Sequence, residues 1–250
     1  MGLSFITPIA YDFRFATSAI KSYYHIADEI ILGVDQDFLS WSKIPYPSID
    51  KQIGLFLECH DPEKKINVIY GDFHSYPTPL ENDTAERTQL SLYCRNWDNW
   101  VVQIDSDEIL MNPDVFKAWI ERVKPNGLCI YARLINVFKV FGPRDALVVD
   151  PPTEWAAVAT RLHGEYERCR QTKQDCVMSP LNLLHYSWGR RPEELLQKLQ
   201  NWGHSDNRDW QEYLDFWQSV TLENYEDVKD FHPLTKGKWK KLNHIYLEQK

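Results

Sequence analysis

Residues Trp100–Glu108 read WVVQIDSDE and give the strongest indication of the fold. Their apolar run, Trp100–Ile104, predicts a buried strand, and acidic residues follow it at once. In an extended chain, residues i and i+2 point to the same side, so Asp105 and Asp107 can converge on one ligand. Carboxylate oxygens are hard donors that suit Mg²⁺ or Mn²⁺. We therefore expect a metal site at Asp105 and Asp107.

Strands and helices alternate before and just after this stretch, which predicts an α/β fold with a mostly parallel central sheet flanked by helices. Ligands of such sheets bind beyond the carboxyl ends of the strands, where the acidic residues lie. Strands are predicted at Leu3–Pro8, Glu29–Val34, Asn67–Tyr70 and Trp100–Ile104. Helices are predicted from Asp12 as N-cap, from Asp83 to Tyr93, and from Pro113.

The second half of the chain is less regular. Residues 128–141 predict one or two strands, and the polar segment 164–179 predicts a loop. A helix is expected from Pro192 to Gly203, and another around Trp210–Val220. No linker or repeat interrupts the chain, so a single domain is expected over residues 1–250.

The composition excludes some classes of partner. The net charge is −8, from 28 basic and 36 acidic residues. A nucleic-acid partner is not expected, because binding one requires a basic face. The five cysteines form no C-x-x-C pair, the N-terminus has no signal-peptide pattern, and no apolar run is long enough to cross a bilayer. These features predict a cytoplasmic protein with reduced thiols.

Several blocks resemble GT-A glycosyltransferases. NWVVQIDSDEILMNP resembles their metal-binding block, particularly that of family 2-like members with a D-x-D-E variant. ERTQLSLYCRNWDNW supplies Arg87, which matches an Arg-containing helix before that motif. ADEIILGVDQD resembles the second strand, whose terminal acid contacts the nucleoside, and ITPIAYDFRFATSAIKSY resembles the segment that binds base and ribose. The resemblance implies nucleotide-sugar contacts at Thr7, Tyr11, Asp35, Asp37, Arg87 and Asp105.

A downstream block, LLHYSWGRRPEELLQKLQNWGH, resembles the segment where these enzymes place a His after a strand, followed by a helix with a Lys. It is also similar to family 17 N-acetylglucosaminyltransferases. The resemblance implies His185 as a further ligand of the metal or diphosphate. Arg190 and Arg191 precede a helix N-terminus, where cations are unfavourable unless an anion lies nearby, so we expect them to bind a diphosphate or an anionic acceptor. Lys198 is expected at the surface.

The resemblance implies a metal-dependent, inverting glycosyltransferase that uses Mn²⁺ or Mg²⁺. It would move sugar from a nucleotide diphosphate sugar to the hydroxyl of a carbohydrate or glycolipid acceptor, in a setting such as surface-glycan assembly. Residues 1–110 would form the nucleotide-sugar-binding half, and residues 111–250 the acceptor-side half with the C-terminal helices. Peripheral contact with a membrane remains open.

The catalytic base is expected in the second half of the chain, because the first half is occupied by the donor. Relatives often carry a V-H-E segment about twenty residues before the H-Y-S block. Here Gly164 separates His163 from Glu165, but Glu165 keeps this spacing to His185. Glu165 is the first choice and His163 the second. The other candidates are Asp150, Glu154 and Asp206.

Three alternatives remain. A nucleotidyltransferase of sugar phosphates would normally carry a Gly-rich basic loop after the first strand, whereas ITPIAYDFRFAT has no Gly and one Arg. A non-catalytic nucleotide- or carbohydrate-binding protein would not need an intact D-x-D-E. A metal-dependent hydrolase would need a second dense His/Asp cluster, which the sequence does not show.

Overall fold

The computed structural model describes residues 2–124, 127–201 and 210–247. It is a mixed α/β fold in which helices flank one large sheet. The strands are β1 Leu3–Ile9, β2 Glu29–Asp35, β3 Ile66–Gly71, β4 Trp100–Gln103, β5 Glu108–Leu110, β6 Leu128–Phe141, β7 Asp145–Asp150, β8 Glu154–Thr160, β9 Asp175–His185 and β10 Lys241–Tyr246. The helices are α1 Phe13–Tyr23, α2 Asp50–His60, α3 Pro79–Leu92, α4 Pro113–Ile120, α5 Pro192–Asn201 and α6 Gln211–Ser219.

The first half of the chain forms the parallel part of the sheet, in the order β4-β1-β2-β3. All residues of β1 and β2 are buried, as expected for parallel strands covered on both faces. The carboxyl ends of β1, β2 and β4 therefore lie along one edge of the sheet. The four strands predicted there are confirmed to within two residues.

The sheet as a whole is mixed rather than mostly parallel. Among the described strands, four pairings are parallel and five are antiparallel. Each antiparallel pair includes a strand of the second half. β7 and β8 both pair with β6 in the antiparallel sense, and β6 is joined to β7 by the short connection that antiparallel neighbours allow. The expected loop at 164–179 is wrong at its end, because β9 begins at Asp175.

The helix predicted from Asp83 begins earlier, at Pro79. Thr78 and Glu81 form a reciprocal capping box at its start, while Asp83 lies inside the helix and binds Arg87 one turn later. Helix α2 was not predicted from the sequence. The expected helix end at Gly203 lies outside the described residues, and the helix expected around Trp210–Val220 is confirmed as α6.

The two largest apolar cores among the described residues support the sheet. The larger one surrounds β1, β2 and α1. The smaller one packs α5 and α6 against β6, β7 and the segment before β10, and its aromatic members are Phe138, Trp188, Trp217, Phe231 and Trp239. Within the described ranges, no helix combines the length and apolar composition needed to cross a bilayer.

Candidate active site

A cleft of about 500 Å³ lies at the carboxyl ends of β1 and β4 and extends between the two cores. The acidic residues that follow β4 form its floor. Ser106 and Asp107 are in a turn, which a hydrogen bond from the Glu108 N–H to the Asp105 carbonyl closes at 3.0 Å. The extended-chain argument for Asp105 and Asp107 is therefore wrong, although the turn does bring both carboxylates to the same cleft.

Asp105 is held by two arginines. Its Oδ1 accepts from Arg87 at 2.8 Å, and its Oδ2 contacts Arg170. Arg170 also pairs with Glu108 at 2.9 Å, and Glu108 accepts from the Asp105 N–H. Burial alone would raise the pKa of Asp105, but Arg170 and Arg87 outweigh it and lower that pKa to about 2. Both oxygens of Asp105 are thus engaged, so Asp105 is poorly placed to share a metal ion.

Asp107 is held by a lysine and an arginine on its other side. Lys198 and Arg190 each donate to Oδ2 at 2.6 Å. Despite burial, Lys198 and Arg190 hold the pKa of Asp107 well below its usual range. Lys198 was expected at the surface; instead α5 points it into the cleft, where its side chain is 13% exposed.

The two arginines before α5 lie in different surroundings. Arg190 is buried, donates to Asp12 at 3.0 Å, and lies over the Phe15 ring. Arg191 is exposed and pairs with Glu194 at 2.7 Å, so it does not line the cleft. Of the two residues expected to bind an anion, only Arg190 is in position.

His185 ends β9 and faces Asp107. Burial lowers its pKa, so the ring is neutral at neutral pH. Nδ1 lies 2.9 Å from Asn136 Oδ1, and the Asn136 amide nitrogen donates to Glu154. Since the oxygen of that amide must then accept, the His185 proton is on Nδ1. Nε2 therefore presents a lone pair to Asp107 Oδ1, 3.6 Å away.

The donor set at this point fits a divalent cation. Two acceptors, Asp107 Oδ1 and His185 Nε2, face each other, and a cation between them would satisfy both. One carboxylate and an imidazole suit Mn²⁺, which accepts nitrogen ligands, and a substrate phosphate can complete the coordination.

A second cluster of ligand-type side chains lies at the ends of β2 and β3. Atoms of Asp35, Asp72 and His74 lie within 4.8 Å of one another. A hydrogen bond from the His74 ring to the Asp35 carboxylate raises the pKa of His74, which favours the protonated ring and disfavours metal ligation. Asp35 also accepts from the backbone N–H groups of Asp37, Leu39 and Phe73. This cluster therefore holds two loops together.

The predicted nucleoside contacts are only partly in the cleft. Tyr11 and Asp35 line it, and the Tyr11 ring meets Tyr46 edge-on at 6.5 Å. Thr7 is fully buried and bonded to the Tyr23 hydroxyl at 2.7 Å, while Asp37 is largely exposed outside the cleft. The structure therefore does not place Thr7 or Asp37 where a bound nucleoside would contact them.

Glu154 stands at the opposite end of the cleft, beside Trp155 and Trp239. It accepts hydrogen bonds from Asn136 and from the Trp239 indole, and it pairs with Lys238. Burial alone would raise the pKa of Glu154, but Lys238 and Trp239 outweigh it and hold that pKa below its usual value. Glu154 is therefore an ionised carboxylate that accepts a hydrogen bond from one indole, in a cleft that Trp155 also lines.

The two preferred candidates for the catalytic base do not reach the cleft. His163 is buried against the Ser91 carbonyl at 2.9 Å and stacks on Trp97. Glu165 is exposed and does not line the cleft. Asp150 pairs with Lys241 outside the cleft, and Asp206 lies outside the described residues. The spacing to His185 was misleading, because His163 and Gly164 bind Ser91 of α3, whereas the part of the same segment that lines the cleft is residues 168–171.

Sequence reasoning missed several residues of the site. Arg170 comes from the segment predicted to be a loop, and Asn136 from the middle of a strand. Glu86 lies at the cleft wall, where burial raises its pKa to about 8 and the Trp41 indole donates to it. Only Glu86 had a sequence signal, since it lies one residue before Arg87 on a predicted helix.

Comparisons with known proteins are weak. No family model matches the chain, and no curated protein matches its sequence. Among solved structures, S. aureus TarS residues 1–349 gives a TM-score of 0.38 at 18% identity, covering 57% of this chain and 38% of that one. A longer S. aureus TarS structure gives 0.32 at 16% identity, covering 57% and 23%. A 4-diphosphocytidyl-2C-methyl-D-erythritol synthase gives 0.36 at 11% identity, covering 64% and 74%.

The chain thus spans less than half of either TarS structure. Overlaps at this level do not assign a family, so the function must be argued from the residues of the cleft.

Proposed function

We propose that the protein is a glycosyltransferase that moves a sugar from a nucleotide diphosphate sugar to the hydroxyl of a carbohydrate or glycolipid acceptor. The observation that carries this proposal is the difference in charge and chemistry between the two ends of the cleft. One end has buried cations and a carboxylate–imidazole pair, which suit a diphosphate. The other end has an ionised carboxylate, Glu154, and a partly exposed tryptophan, Trp155, which suit a sugar hydroxyl.

The cationic end would hold the leaving group. Lys198 and Arg190 have more N–H donors than their bonds to Asp107 use, so each can also bind a phosphate oxygen. Asp107 and His185 would hold Mn²⁺ or Mg²⁺, which supplies further positive charge against the diphosphate. Asp105 lies beside this position but is fixed by Arg87 and Arg170, so its proposed part is to keep the turn in shape or to contact the ribose.

The nucleoside would lie toward Tyr11, Tyr46 and Trp41, which line the cleft near the ends of β1 and β2. Aromatic faces can stack on any base, so these residues set a position for the base without selecting it. Glu86 and Asp35 lie at the same wall.

Glu154 would act as the catalytic base, in place of Glu165 and His163. A carboxylate that is ionised at neutral pH can accept the proton of the acceptor hydroxyl as that oxygen attacks the sugar. Trp155, which is partly exposed in the same part of the cleft, would stack on the acceptor and hold it in line. A single displacement with one base inverts the anomeric centre. A cytoplasmic location is supported by five cysteines that form no disulfide, while a part in surface-glycan assembly stays a prediction.

The proposal is tested by incubating the protein with Mn²⁺, candidate acceptors, and a panel of uridine and guanosine diphosphate sugars, and by assaying the products. We expect release of a nucleoside diphosphate, and its loss in Asp107→Asn. Release of pyrophosphate from a sugar phosphate and a nucleoside triphosphate would identify a nucleotidyltransferase instead. Binding of nucleotide sugar without turnover across the panel would favour a binding protein.

A further inference from the structure

The strand order places four polar side chains in a row across neighbouring strands. β8, β6, β9 and β5 are successive neighbours in the sheet. Glu154 begins β8, His185 ends β9, and Asp107 precedes β5. Asn136 lies between them on β6, as the direct partner of His185 in the pairing with β9.

Asn136 is bonded on both sides. Its amide nitrogen donates to Glu154 Oε2, and its oxygen lies 2.9 Å from His185 Nδ1. Asn136 is only 3% exposed, so water has little access to either bond. A primary amide can donate in one direction and accept in the other, whereas a carboxylate or an aliphatic side chain cannot do both.

We propose that Asn136 is a positioning residue that couples the metal end of the cleft to the acceptor end. Its oxygen fixes the tautomer of His185, which leaves Nε2 free to face Asp107. Its N–H group orients Glu154 toward the acceptor. The identity of the ion and of the acceptor rests on the proposed function; the two hydrogen bonds do not.

Two substitutions by residues of nearly the same size as Asn test the two hydrogen bonds of Asn136 separately. Asn136→Asp keeps an acceptor for His185 Nδ1–H, and carboxylates commonly serve this purpose beside metal-bound histidines. It cannot donate to Glu154, and it places a second carboxylate next to that residue. Asn136→Leu removes both bonds. Asn243→Asp makes the same change of charge on an exposed position of β10 and is the matched control.

The measurements are Mn²⁺ affinity without nucleotide, by electron paramagnetic resonance, and kcat for sugar transfer. For Asn136→Asp we expect Mn²⁺ affinity within about 3-fold of wild type and kcat at least about 10²-fold lower, the size of a general-base contribution. For Asn136→Leu we expect Mn²⁺ affinity about 10- to 100-fold lower, as for other residues that orient a metal ligand, with kcat reduced as well. Asn243→Asp should change neither quantity.

The inference is overturned if Asn136→Asp loses Mn²⁺ affinity as severely as Asn136→Leu, or if it keeps normal turnover. If Asn136→Leu does not fold, Asn136→Asp tests the inference by itself: Mn²⁺ affinity should stay near the wild-type value while kcat falls. Suppose that Mn²⁺ affinity changes across the variants as expected, but the wild-type protein transfers no sugar. This result would support the contact of Asn136 with His185 and overturn the proposed function.

Discussion

At the scale of single residues, the carboxyl groups of the cleft differ in pKa because their surroundings differ. Asp105 and Asp107 lie against arginine and lysine side chains, so they stay ionised and are largely neutralised in place. Glu86 is buried with an indole as its hydrogen-bond donor, and its pKa rises to about 8. Glu154 is ionised beside Lys238 and the Trp239 indole. Carboxyl groups of one cleft thus differ in pKa because their neighbours differ.

Replacing Glu154 by Gln removes the proposed base with little change in shape. We expect kcat to fall by about 10²-fold or more, while the affinity for nucleoside diphosphate stays near the wild-type value. Glu165→Gln is the control, because Glu165 is exposed outside the cleft. Steady-state transfer assays and calorimetry measure the two quantities. Normal turnover in Glu154→Gln, or a large loss in Glu165→Gln, would contradict this assignment.

The raised pKa of Glu86 makes stability depend on pH. Above about pH 4.5 the unfolded chain loses this proton, whereas the folded protein keeps it until about pH 8. Between these values the free energy of unfolding therefore falls as pH rises, on the order of 1.4 kcal/mol per pH unit from this group. Glu86→Gln removes the titration, so we expect the variant to exceed wild type in stability at pH 8, with a smaller difference at pH 5.5. Urea denaturation at both pH values checks this, and a difference that does not grow with pH would count against it.

At the scale of elements, the sheet was easier to predict than the site. β1, β2 and β4 are mostly apolar runs, whose burial follows directly from their composition. Asn136 and Glu154 lie on neighbouring strands of the second half, so their contact depends on a register that no local pattern reveals. Arg170 reaches Asp105 from a segment with no periodicity. Arg190 and Arg191 are adjacent in sequence, and only the entry into α5 determines which of them faces the cleft.

The packing of α3 on β2 can be tested at Gly33. A Cβ at this position would lie 2.7 Å from Leu90 Cδ1 and would also meet Glu86, so Gly33→Ala should destabilise the fold by about 1–3 kcal/mol. Gly54 on α2 has no atom within 4 Å of the corresponding Cβ position, so Gly54→Ala should stabilise the fold by about 0.5–1 kcal/mol. Urea denaturation of both variants compares them. Similar effects in the two would mean that α3 is not packed this closely on β2.

At the scale of the whole molecule, the cleft joins two apolar cores. Residues near β1 and β4 supply its floor, and Trp188 and Trp239 of the smaller core line its far end. A ligand that fills the cleft therefore contacts both cores. This arrangement agrees with the expected single domain over residues 1–250, which remains a prediction.

Nucleoside diphosphate at about 100 times its dissociation constant should stabilise the folded protein by about 2.7 kcal/mol. For a chain of this size, that corresponds to a rise in Tm of about 5–10 °C. Because both cores line the cleft, we expect one calorimetric transition that shifts as a unit. Two transitions, of which only one responds to the nucleotide, would show that the cores unfold independently.

Binding of a nucleotide sugar through its diphosphate, in this cleft, is tested by a crystal structure with Mn²⁺ and uridine or guanosine diphosphate. We expect the ion between Asp107 and His185, phosphate oxygens within hydrogen-bond distance of Lys198 and Arg190, and the base toward Tyr11. A nucleotide bound outside this cleft, or an ion bound at Asp35, Asp72 and His74, would contradict it.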